Sequence, residues 1–256
     1  DQPQTMKMIR DGAAAAGAPL LTGTLETEPV GVTPSAPEGL LFYNAAWLFS
    51  ASGETMGRYR KRHLVPFGEY IPLDKTFPFL QRLAPTGVSC TPGVGPGLLQ
   101  VTRKAGDVLS LGPMICFEDT VPSLSREAVR AGARLLVLMT NDAWFNGSIE
   151  PVQHMNQSVF RAVENGVPLV RAANSGVSCA VDAVGRVKRL ESNGAVSDFP
   201  GFMVTQVAVP EIPLRAPYTT WGDWVLGIPG AVLLATLPVV GTVRDRRARR
   251  REGDVG

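Results

Sequence analysis

From Trp224 to Val243 the chain reads WVLGIPGAVLLATLPVVGTV, twenty residues without a charge, and RDRRARRR follows at once. At about 1.5 Å per helical residue such a run spans about 30 Å, the thickness of a bilayer's hydrocarbon core. Trp221 and Trp224 stand at its upstream edge, where indoles favour the headgroup level. Pro229 and Pro238 leave a buried C-terminal helix open as the alternative, although lipid tolerates prolines that a soluble helix does not. The pattern predicts a domain over residues 1–220, a transmembrane helix over 221–243 and a basic tail over 244–256. The positive-inside rule then puts the C-terminus in the cytoplasm and the domain on the periplasmic or extracytoplasmic side. No secretory signal is visible: Asp1 to Arg10 is polar and Ala13 to Ala16 is too short an apolar run. An exported domain without a visible export signal implies upstream sequence.

Hydrophobic residues at 45% against charged ones at 19% exclude a disordered chain, and 256 residues suffice for a substantial core. Six arginines and Asp245 give residues 244–251 a charge of +5, so the remainder sums to −3 within the total of +2. A chain so balanced has no general nucleic-acid face. Three cysteines (Cys90, Cys116, Cys179) and two histidines (His63, His154) show no paired ligand spacing, which argues against a metal site. The odd cysteine count leaves room for a reactive thiol.

Before the apolar run, short hydrophobic segments alternate with helical patterns. Leu40 to Phe49 reads as a buried strand followed by the turn Ser52-Gly53-Glu54. Val108 to Phe117 is a second apolar run, and Ser123 to Ala131 a helix with Leu124, Ala128 and Ala131 on one face and Ser123 as its N-cap. Arg134 to Met139 is a strand, and Pro151 to Asn165 a helix opened by its proline. Pro168 to Ala172 and Val177 to Asp182 are strands, with a turn at Asp182 to Gly185. This alternation predicts an α/β layered domain, and Pro210 to Pro217 reads as a connector to the apolar run.

Three segments carry chemistry. YRKRHLVPFGEYIP, over residues 59–72, sets Lys61 and Glu69 eight apart in a loop shaped by proline and glycine. PMICFED, over 113–119, closes an apolar strand with Cys116 just before a helix, where a nucleophile projects toward a positive helix end. TNDAWF, over 140–145, follows a strand directly, where α/β folds place their sites. Each segment has a plainer reading: an inert core cysteine, a solvated charge run around Lys61, and Trp144 and Phe145 as packing residues. Cys90, in a loop, and Cys179, in a strand, read as structural.

Together the segments KRHLVPFGEYIP, ICFED, TNDAWF and QHMNQSVFRAVENGVPLVRAANSGVS, with GDW before the apolar run, resemble the carbon–nitrogen hydrolase (nitrilase) superfamily. Within it they are similar to the bacterial apolipoprotein N-acyltransferases, from about Leu20 through the apolar run. The resemblance implies a four-layer αββα sandwich, a Glu-Lys-Cys triad, several membrane helices and no cofactor. By position it makes Cys116 the nucleophile and Lys61 the catalytic lysine, with Glu69 and Glu118 in support. Phe117 stands where many relatives carry tyrosine. The implied substrates are a phospholipid acyl donor and a diacylglyceryl-modified apolipoprotein acceptor, handled at the bacterial inner membrane. One departure matters: the triad glutamate, in a Pro-Glu motif, is expected upstream of Asp1, and neither Glu26 nor Glu28 is assigned its place. The chain therefore reads as a C-terminal fragment. A membrane-tethered amidase and a non-catalytic, membrane-anchored binding module are the competing readings.

Overall fold

A computed structural model of the chain describes residues 2–33, 39–73, 76–77, 79–80, 89–145, 147–212, 214, 216–224, 227 and 229–236. Two sheets lie face to face. The smaller is an antiparallel meander of β1 (Leu20–Pro29), β2 (Leu40–Phe49) and β3 (Thr55–Arg60), in that order. The larger runs β4 (Leu99–Thr102), β5 (Val108–Ile115), β6 (Leu135–Asn141), β7 (Leu169–Asn174), β8 (Cys179–Val181) and β9 (Val187–Arg189). Its central β5–β6 and β6–β7 pairs are parallel and the flanking pairs antiparallel. Each parallel pair needs a crossover. Helix α2 (Pro122–Arg130) supplies the first and α3 (Glu150–Asn165) the second.

Side-chain alternation sorts β5 and β6 between two cores. Leu109, Leu111 and Ile115 face the small sheet, where they meet Ala46, Leu48 and Tyr59. Met114, Leu136 and Leu138 point the other way, onto Ala128, Met155 and Ala162 of the helices. Central strands buried on both faces read as unbroken apolar runs, which is why their positions were legible.

The N-terminus differs from the sequence expectation, which assigned no element there. Gln2–Ala16 forms helix α1, with Met6, Ile9 and Ala13 less exposed than their neighbours along one stripe. It is fastened to the β2–β3 turn, where Arg10 Nη2 donates to Thr55 Oγ1 at 3.5 Å. Of the expected α–β–β–α layering, the two packed sheets and the helical layer of α2 and α3 outside the larger one are present, and α1 meets the small sheet at the β2–β3 turn instead of covering its face. Ser123 is not the α2 N-cap. Val121 holds that position and Pro122 occupies the first turn, where a missing N–H costs nothing.

Among the described residues no helix is long and apolar enough to cross a membrane. The uncharged run is described only at residues 224, 227 and 229–236, the last eight being helical. Its remainder and the tail over 244–256 lie outside the described residues. A short helix α4 (Pro217–Trp221) precedes it and is fixed to the domain by Arg126, whose Nε donates to the carbonyls of Tyr218 and Thr219.

Candidate active site

β5 ends at Ile115, and Cys116 opens a 3-10 turn, Cys116–Thr120, with φ of +51°. A non-glycine residue in the left-handed region is uncommon and persists only where its surroundings over-determine it. Here the constraint comes from Glu118. Its fully buried carboxylate turns back and accepts Ile115 N at 2.8 Å, Arg62 N at 2.8 Å and His63 N at 3.1 Å. Tyr59 Oη donates to the same group at 2.8 Å. One carboxylate therefore ties the residue before Cys116 to the residue after Lys61. The ends of β5 and β3 are held apart by no more than that group's width and its hydrogen bonds. Cys116, half-buried, packs against the cluster of Ala46, Tyr59, Ile115 and Met139 between the sheets.

Lys61 is not on a solvated face. It is 1% exposed, and its ammonium donates to Glu69 Oε2 at 2.6 Å. The Pro-Gly loop that follows curls so that Glu69 also accepts Asn44 Nδ2 at 2.7 Å and Val65 N at 2.9 Å. Asn44 shares its β2 face with Ala46 and Leu48, toward the large sheet, and its carbonyl accepts Lys61 N at 2.8 Å. Gly93 N donates to the Lys61 carbonyl, and a Cβ on Gly93 would lie 2.2 Å from Arg60 O, so only glycine allows that approach. Lys61, Glu69, Cys116 and Glu118 thus come together at one end of the sheet pair. Glu26 and Glu28 do not join them: both pair with Arg60 on the outer face of the small sheet, where Arg60 stacks on Tyr43.

Exposed aromatic side chains follow both Cys116 and β6. Phe117 is 42% exposed and stacks with His63 at 6.3 Å between ring centroids. Trp144 and Phe145 are also exposed and do not serve as packing residues. Cys90 N donates to the Glu69 carbonyl, and burial, reinforced by the Glu69 charge, pushes its thiol up. Cys179 is fully buried, and burial holds its thiol up to about 11. Among the described residues no three His, Cys, Asp or Glu groups converge as a metal site would require.

Sequence reasoning missed the charged cluster beneath this site. Asp119 and Asp142 are fully buried, Arg171 is 1% exposed and His154 5%. His154 lies 2.9 Å from Asp119 Oδ1 through Nε2 and 3.0 Å from Asp142 Oδ1 through Nδ1. Arg171 donates to Asp119 Oδ2 at 2.9 Å and to Asp142 Oδ2 at 2.8 Å. The signal was present in part. An arginine inside the apolar run PLVRAA must either be paired or break the strand. Tyr59 gave no such signal, because its partner lies 59 positions away.

Burial alone would lower His154, but its bonds to Asp119 and Asp142 outweigh that and raise it from 6.5 to about 10. Burial likewise works against the Asp142 carboxylate, yet His154 and the Arg171 charge hold it below 3.8. A raised histidine stabilises fully below its unfolded value, and the gain is lost as pH climbs through the folded value. A lowered aspartate stabilises above its unfolded value and loses the gain in acid. The cluster should therefore stabilise most between about pH 4 and 6.5, and its histidine share should fade toward pH 10. Melting of the full-length protein against a His154→Gln variant checks this: the decline above pH 6.5 should be shallower in the variant, and parallel curves would contradict it.

The carbon–nitrogen hydrolase family model matches residues 3–197. Apolipoprotein N-acyltransferases from Geobacter metallireducens and Bdellovibrio bacteriovorus are 46% and 34% identical over 151 and 232 residues, which are 59% and 89% of this chain. The chain spans only 28% and 41% of those relatives' lengths. A Helicobacter pylori G27 carbon–nitrogen hydrolase superposes with a TM-score of 0.54 at 19% identity, covering 72% of this chain and 61% of that one. An amidase from Nesterenkonia sp. gives 0.51 at 22% identity, covering 73% and 62%. With the family model matching most of its length, the chain belongs to the carbon–nitrogen hydrolase family.

Proposed function

We propose that the chain is the catalytic portion of an enzyme that moves a fatty acyl group from phospholipid, through a Cys116 thioester, to the N-terminal amine of a diacylglyceryl-cysteine lipoprotein. The observation that carries this reading is the Glu118 bridge, which sets the thiol-bearing turn beside the buried Lys61–Glu69 pair. Similarity to curated apolipoprotein N-acyltransferases supports the acyl and amine partners.

In the first half-reaction the Cys116 thiolate adds to the ester carbonyl. The C–O bond then breaks, and the lysophospholipid leaves as an alcohol after taking up a proton. In the second, the α-amine attacks the thioester, loses a proton, and releases the thiolate with an amide formed. A thiol suits both halves, being nucleophilic near neutrality and a good leaving group. The Lys61 ammonium is the fixed positive charge for the oxyanion of each tetrahedral intermediate, a contribution of about 3 kcal/mol in such sites. Glu69 and Asn44 fix the lysine rather than touch substrate. The resemblance also implies a proton-carrying glutamate, a role assigned to no residue of this chain. Exposed Phe117, next to Cys116 in the chain, suits an acyl chain better than a small polar amide.

In the full-length enzyme, acyl transfer from phospholipid to a lipopeptide amine should follow ping-pong kinetics, and sequential kinetics would count against a covalent intermediate. Lys61→Met should keep the fold and the membrane attachment while slowing acyl-enzyme formation by about 10²–10³-fold. An unchanged burst of lysophospholipid from that variant would remove Lys61 from the chemistry. Hydrolysis of small amides faster than any acyl transfer would favour an amidase instead.

A further inference from the structure

The cluster of Asp119, His154, Asp142 and Arg171 lies outside the reacting groups, yet it joins the segments that follow β5, β6 and β7 to α3. Asp119 belongs to the 3-10 turn opened by Cys116, Asp142 follows β6, Arg171 sits in β7 and His154 on α3. Arg171 Nε further donates to the Val177 carbonyl at 3.2 Å, reaching the loop beyond β7. A Cβ on Gly176 in that loop would lie 2.2 Å from Asp142 Oδ2, so the loop closes against the cluster at glycine distance. Arg161 Nη1 donates to the Asp119 backbone carbonyl at 2.8 Å, and Ser158 Oγ to its carboxylate at 2.6 Å.

Stability is a poor account of this arrangement. Replacing buried ion clusters by well-packed apolar residues commonly leaves stability unchanged or improved. Arg171, His154 and two carboxylates provide what apolar packing cannot, namely directional bonds that fix loop positions. Arg171 Nη2 also lies within hydrogen-bond distance of His154 Nδ1, at 2.9 Å, so the four side chains form one connected network. The left-handed backbone at Cys116 needs such fixing. Glu118 clamps the turn on the small-sheet side, and Asp119, the next residue, clamps it on the helix side.

We infer that Asp119, His154, Asp142 and Arg171 form a positioning unit that holds the Cys116 turn in register with the loops after β6 and β7. None of the four touches substrate; they act through Cys116, and the inference rests on that residue being the nucleophile. Small displacements of a reacting group can cost about a hundredfold in rate. In the full-length enzyme, Asp119→Asn and His154→Gln should lower the single-turnover acylation rate about 10–100-fold, with KM for phospholipid within about twofold. Iodoacetamide should alkylate Cys116 with its rate changed in these variants, while Cys90 reacts as in the parent. Ser158→Ala removes one bond to Asp119 and leaves the ion pairs, so it keeps the fold and should slow acylation about fivefold. Wild-type acylation in Ser158→Ala, or in either folded charge variant, overturns the positioning role and leaves the nucleophile reading intact. Acylation persisting in Cys116→Ala would instead sink the nucleophile itself.

Discussion

Cys116→Ala in the full-length enzyme should abolish the covalent acyl intermediate and lower turnover by about four orders of magnitude or more. Incubation with phospholipid and no acceptor should add one acyl mass to the parent protein and none to the variant, read by intact-mass spectrometry. The substitution is gentle elsewhere. Cys116 is half-buried, alanine fits its space, and both residues bear the same cost of about 1–2 kcal/mol for a left-handed backbone. Its turn stays clamped through Glu118 and Asp119, whose side chains are untouched. An acylated Cys116→Ala protein would show that another group carries the chain, with Cys90, whose N–H donates to the Glu69 carbonyl, the first to test.

Glu118 should prove as sensitive, through a different physical route. Its carboxylate is the acceptor for Ile115 N, Arg62 N, His63 N and Tyr59 Oη, all at one buried point. Glu118→Ala leaves those donors without a partner, and each buried orphan costs about 1–3 kcal/mol. Losses of more than about 3 kcal/mol are expected in denaturant unfolding, together with the loss of acylation. Glu118→Gln distinguishes shape from charge. Both carboxylate oxygens accept backbone N–H groups, so the amide must turn its NH₂ toward a donor whichever way it is placed. The isostere should therefore also unfold at lower denaturant and acylate slowly. A glutamine variant with parental stability and rate would mean that the bridge between β3 and β5 is incidental. Tyr59, whose hydroxyl proton is held up by burial and by the Glu118 charge, marks the same point from the other side.

Some of this architecture was written in short-range pattern. Leu40–Phe49 matches β2 at both ends, because a central strand that is largely buried on both faces reads as a mainly apolar run, broken here only at Asn44. Helix α3 was announced by Pro151 and closes on Gly166 at φ +64°, a left-handed cap that glycine adopts without penalty. Lys61, Glu69, Cys116 and Glu118 were legible only because their segments resemble a family; residue type and spacing alone favoured a solvated charge run and an inert thiol. Helix α1 was not legible, since its apolar stripe of Met6, Ile9 and Ala13 is too sparse to stand out among polar neighbours.

Periodicity and turn residues are local quantities, and they sufficed for β2, β5, β6, β7, β8 and the two crossover helices, but not for β1, β3, β4 or β9, which are short or alternate with polar residues. Whether a charge is buried is not local. Lys61 lies between two arginines in sequence, and only the closing of one sheet over the other takes it from water and sets it against Glu69. The same holds for Arg171, whose carboxylate partners lie 52 and 29 positions away. Desolvation and hydrogen-bond direction depend on which loops meet in space, so the chemistry of this site was decided by long-range packing, while its scaffold was already present in the order of the residues.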